Sequence, residues 1–148
     1  MTAEEWVNKG VELGKVGRYQ GALEAYNKAI KLNSGYAKAW NNKGTILGEL
    51  GRHEEALEAL DKAIEINHQF SLAWHNKGVT LGRLKRDEEA IKAYDKAIKF
   101  NPKFALAWYN KGNALYHLGR HQEAQEAYDK AEKLWHARGE IAVGEPPL

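Results

Sequence analysis

The sequence contains no cysteine, so it can form no disulfide, no thiolate metal site and no thiol nucleophile. Its stability has to come from packing. It also lacks any apolar run near the roughly 20 residues that span a bilayer. The opening Met1-Thr2-Ala3-Glu4-Glu5 has neither the basic start nor the apolar core of a signal peptide, so the cytoplasm is the expected compartment. Charge of one sign is scarce as well. Twenty-two Lys and Arg face 20 Asp and Glu, a net +2, too small a bias to point to nucleic acid as the main partner. No phosphate-cradling glycine loop, nucleophile elbow or paired Ser and His is present, which argues against an enzyme and against any cofactor. His117 and His121 have the i, i+4 spacing of a metal pair. Gly119-Arg120 interrupts the helix between them and no third ligand accompanies them, so no metal site is expected.

What the sequence has instead is a period. Trp6, Trp40, Trp74 and Trp108 lie 34 residues apart, and each is followed by the same tripeptide, as in Asn42-Lys43-Gly44. Ala22, Ala56, Ala90 and Ala124 repeat in one later register, and Ala29, Ala63, Ala97 and Ala131 in another. Trp40, Gly44 and Leu47 fall at i, i+4, i+7, as do Ala56, Leu60 and Ala63, so each unit reads as two amphipathic helices. Gly17, Gly51 and Gly119 mark the turns inside units, with Lys85 in the third; Asn33, Asn67 and Asn101-Pro102 mark the turns between them. This predicts eight helices, near 3–16, 19–32, 37–50, 53–66, 71–84, 87–100, 105–118 and 121–135. Gly44 is expected to face Ala56 across its hairpin, and the tryptophans to be core residues. Lys9, Lys43, Lys77 and Lys111 either lay their stems on the core or form an anion-binding row.

These residues resemble the tetratricopeptide repeat, whose 34-residue unit carries Trp, Leu, Gly, Ala and aromatic residues at matching places. The resemblance covers residues 3 to about 136 and implies an all-α, right-handed solenoid of four helix-turn-helix units. Their expected bounds are 3–36, 37–70, 71–104 and 105–138, with a tail at 139–148. It further implies a scaffold that holds a peptide or protein partner in a groove lined by the first helix of each unit.

Carried onto this sequence, the groove falls on Asn8, Asn41, Asn42, Thr45, Leu72, His75, Asn76, Val79, Arg83, Leu106, Tyr109, Asn110 and Asn113. Asn8, Asn42, Asn76 and Asn110 are similar to the asparagine ladder of O-GlcNAc transferase and kinesin light chain. Such carboxamides either bracket a ligand's peptide bonds or bridge neighbouring helices. The carboxylate clamp of co-chaperone members is missing, because Val7, Val11, Leu72 and Asn76 occupy its places. Neither nucleic acid nor membrane is an expected partner. Because Tyr128, Leu134 and Trp135 end the array without a further helix, self-association through the last unit and tail is the alternative expectation.

Overall fold

A computed structural model describes residues 1–139, so the expected tail lies outside the described residues except for Gly139. Among the described residues eight helices follow one another: α1 (Ala3–Lys15), α2 (Tyr19–Leu32), α3 (Ala37–Glu49), α4 (His53–Ile66), α5 (Ser71–Arg83), α6 (Asp87–Phe100), α7 (Ala105–His117) and α8 (His121–Arg138). Among the described residues there is no strand. The helix ends follow local chemistry. Thr2 and Glu5 form a reciprocal capping box on α1. Asn33 and Asn67 accept the Gly35 and Gln69 amides through Oδ1 at 3.1 and 3.2 Å, closing the turns between units. Inside the units the chain turns through positive φ at Gly17, Gly51 and Gly119, and Lys85 takes the same conformation at φ 60°. A lysine there carries a penalty of about 1–2 kcal/mol that glycine avoids.

The glycine after each Asn-Lys pair is a packing requirement. A Cβ on Gly10, Gly78 or Gly112 would sit 2.4–2.6 Å from the rings of Tyr26, Tyr94 or Tyr128. At Gly44 the neighbour is Leu60 at 2.6 Å, with the Ala56 carbonyl at 3.3 Å, so Leu60 and not the Ala56 side chain fills the crossing. The repeated alanines are buried and let the helices approach closely. Trp6, Trp40, Trp74 and Trp108 pack against the core as half-buried residues, and three of the four indoles also reach a polar partner. Trp40 and Trp74 donate Nε1–H to the Ser34 and His68 carbonyls at 2.8 Å, and Trp108 donates to Pro102 at 3.4 Å. Each thereby ties a first helix to the turn before it.

Successive odd-numbered helices touch one another, whereas successive even-numbered ones do not. The stack therefore curves with α1, α3, α5 and α7 on its inner side. Both end faces change character. Where the internal units bury Ala39, Ala73 and Ala107, α1 exposes Glu5; where they bury Ile46, Thr80 and Ala114, it exposes Glu12. At the other end Gln125 and Glu132 stand where Leu23, Leu57, Ile91 and Ile30, Ile64 meet the following unit. The apolar residues expected to be exposed on α8 turn inward: Trp135 is buried among Ala105, Ala131 and Tyr109.

Candidate functional site

The inner face is a shallow trough whose two halves differ. At the α1–α3 end Val11, Lys15, Tyr19, Asn42, Thr45 and Glu49 surround an open cavity of about 320 Å³. Further along, Thr45, Asn76, Val79, Arg83, Leu106 and Asn110 line one of about 250 Å³. Leu72, Leu106 and Tyr116 expose 44%, 41% and 57% of their surface, which makes the α5–α7 half the apolar one. Of the groove residues expected from sequence, Asn8, Thr45, Leu72, Arg83 and Leu106 are exposed. Asn42, Asn76, Val79, Tyr109, Asn110 and Asn113 are half-buried.

Asn41 and His75 are the exceptions. They are 2% and 5% exposed, beneath the groove surface, because the position before each ladder asparagine points toward the neighbouring helix. Val7 holds the same position in α1 and is fully buried. Tyr109, its equivalent in α7, packs against Tyr128 and Trp135. Asn113 accepts the Tyr128 hydroxyl at 2.7 Å.

A continuous line of hydrogen bonds runs beneath this surface. Asn110 Nδ2 lies 2.9 Å from His75 Nε2, His75 Nδ1 lies 3.3 Å from Asn76 Oδ1, and Asn76 Nδ2 donates to Asn41 Oδ1 at 3.0 Å and to Thr45 Oγ1 at 3.4 Å. Asn41 Nδ2 in turn approaches Asn42 Oδ1 at 3.5 Å. Burial drives the His75 pKa down to about 4, against a smaller opposing effect of its bond to Asn76, so the ring is neutral near pH 7. Two of the four ladder asparagines thus bridge helices, which sequence reading left open. The signal was in the preceding positions, which read Val7, Asn41, His75 and Tyr109: a row with two buried polar members implies partners for them.

The lysines after the asparagines leave the groove. Lys9, Lys43, Lys77 and Lys111 each place Nζ 5.3–5.5 Å from the ring centre of their own unit's tryptophan. Lys77 and Lys111 also pair with Asp61 and Asp95 of the preceding unit at 2.8 and 2.7 Å. His117 and His121 have separate surroundings, the first 3.8 Å from Asp87 and the second edge-on to the Tyr116 ring. Among the described residues no group of three or more His, Asp or Glu side chains is placed to hold a metal, and no helix is long and apolar enough to cross a membrane.

Comparison with known proteins agrees with this architecture. A family model described as "Tetratricopeptide repeat" matches residues 3–36, 37–70 and 105–136, and one described as "TPR repeat" matches 83–119. No curated protein matches the sequence. Among solved structures, a crystal structure of MamA is similar over 94% of this chain and 81% of its own, with a TM-score of 0.85 and 24% identity. MamA from Desulfovibrio magneticus RS-1 is similar over 92% of this chain and 77% of its own, at TM-score 0.82 and 23% identity. The first TPR of Spaghetti (RPAP3), bound to the HSP90 peptide SRMEEVD, is similar over 80% of this chain and 94% of its own, at TM-score 0.77 and 21% identity.

Proposed function

The chain belongs to the tetratricopeptide repeat family, and we propose that it is a non-catalytic adaptor that holds a polypeptide segment of another protein along its concave face. We take its units as 3–36, 37–70, 71–104 and 105–138. The observation that carries this reading is the exposure of Leu72, Leu106 and Tyr116 on the inner face, beside half-buried amides. Apolar anchors flanked by directional polar groups suit a partner that brings side chains and a peptide backbone together. The asparagine row supports a ladder of the kind found in O-GlcNAc transferase and kinesin light chain, with Asn8, Asn42 and Asn110 as the members nearest a ligand. The polar faces of α1 and α8 weigh against self-association by end-to-end stacking, since stacking would bury Glu5, Glu12 and Gln125.

A photo-reactive residue in place of Val79 tests the reading against one in place of Glu58, which is exposed on α4. Crosslinking of cell polypeptides at position 79 and not at 58 is the expected result; the reverse moves binding to the convex face. The acidic peptide SRMEEVD is a sharper negative test. With Val7 buried and Leu72 and Asn76 in place of basic residues, the groove lacks the basic side chains of the carboxylate clamp, and its own cations Lys15 and Arg83 line separate cavities. Titration calorimetry should therefore show no binding in the micromolar range.

A further inference from the structure

We propose that His75 sets the polarity of the inner-face amides, so that the groove grips a polypeptide backbone through the N–H pair of Asn42 and the carbonyl of Asn110, while Asn76 makes no ligand contact. This inference rests on the groove reading above.

The polarity follows from donor and acceptor accounting. The Thr45 hydroxyl donates to its own helix at the Asn41 carbonyl, 3.2 Å away, which leaves its oxygen as an acceptor. Asn76 must then turn Nδ2 toward Thr45 and Asn41, and its Oδ1 toward His75. That oxygen requires a proton on His75 Nδ1. A neutral ring so protonated has a bare Nε2, which only a donor can satisfy, so Asn110 presents Nδ2 inward and Oδ1 outward. At the other end Asn41 has spent its oxygen on Asn76, turns Nδ2 toward Asn42 Oδ1 and leaves the Asn42 N–H groups pointing away. Among the described residues nothing accepts from Asn42 Nδ2 or donates to Asn110 Oδ1. Asn76 is engaged on both atoms, with both N–H groups spent on α3 and its oxygen held by His75. Asn42, Asn76 and Asn110, equivalent in sequence, therefore differ in what they offer: donors toward α3 and an acceptor toward α7. A backbone lying along the trough meets Asn42 with a carbonyl and Asn110 with an N–H. His75 acts as a positioning residue, touching no ligand and reaching it only through Asn110.

Two readouts on the intact chain test this. Nitrogen NMR of the free, labelled protein should find His75 protonated at Nδ1 and bare at Nε2; the opposite tautomer overturns the proposal. The immobilised chain and its Asn42→Ala, Asn76→Ala and Asn110→Ala variants, each checked for helical circular dichroism, are then exposed to a pool of capped random-sequence decapeptides. Losing one ligand hydrogen bond should lower retention about fivefold for Asn42→Ala and Asn110→Ala. Asn76→Ala removes no ligand bond but releases the His75 tautomer, so its loss should not exceed that of Asn110→Ala, and the Asn76→Ala/Asn110→Ala double variant should stay within roughly twofold of Asn110→Ala alone. A further severalfold loss in the double variant shows that Asn76 touches the ligand itself and overturns the inference while leaving the groove reading intact. Equal failure of every form to retain the pool overturns both, and the tautomer result keeps the two failures apart.

Discussion

The seam between the first two units and the two seams after it are made from the same kind of helices and held by different contacts. At the first, Val7 stands where Asn41 and His75 stand later, so Asn42 has no polar partner on α1. Across the next two seams, Asn76 reaches Asn41 at 3.0 Å and Asn110 reaches His75 at 2.9 Å. The far side shows the same contrast: Lys77 and Lys111 pair with Asp61 and Asp95, whereas Asn27 takes the aspartate's place before Lys43. Arg–Glu pairs brace the starts of α4, α6 and α8, and Gly21 takes the glutamate's place in α2. Apart from the Trp40–Ser34 bond, whose equivalents recur at the later seams, the first unit thus docks through apolar burial, with Leu23, Tyr26, Ala29 and Ile46 in one cluster. The later units add directional bonds. Apolar contact gives adhesion with little geometric demand, while buried amides fix the register of helix on helix.

Acid should expose this difference most strongly. His75 has a folded pKa of about 4 against its ordinary 6.5, so between these values the unfolded chain holds the extra proton. Its contribution is complete above about pH 6.5 and is lost as pH falls toward 4, a difference of about 3 kcal/mol. Urea unfolding at several pH values should show that slope, and His75→Phe should abolish it over this window. Next in size are the matched deletions. Asn76→Ala strands His75 Nδ1 and Asn41 Oδ1 and should cost about 2 kcal/mol. Asn42→Ala crosses no seam and removes only the long 3.5 Å contact to Asn41 Nδ2, so it should cost about 1 kcal/mol. Equal losses in denaturant midpoint at constant slope would remove the distinction between the seams. The smallest effect is a gain. Asn27→Asp supplies the carboxylate that Lys43 lacks and should stabilise by about 0.5 kcal/mol, an effect that added salt removes. If it gives nothing, the Lys–Asp pairs of the later seams set geometry more than stability.

Much of the helix layout was legible because it depends on local rules. The 34-residue period, the i, i+4, i+7 stripes and the turn residues placed the helix starts and, to within one residue, all but the last helix end, where α8 runs on to Arg138. The site was less legible. The asparagine row is visible in the sequence, but a carboxamide's role depends on what lies across the seam, and that neighbour is 35 residues away. The tryptophans show the same limit. Their spacing marks a helix stripe, but the carbonyls that hold them half-buried belong to the preceding turns.

By itself the sequence determined the repeat, the helix pairs, the small-residue crossings and the turns, since each rests on neighbours within one unit. Only the tertiary structure decided that Asn76 is consumed while Asn42 and Asn110 keep free atoms, that Asn41 and His75 lie beneath the groove, and that α8 folds its aromatic residues inward. The physical reason is that hydrogen-bond capacity belongs to the residue type, whereas whether it is already spent depends on the helix packed alongside.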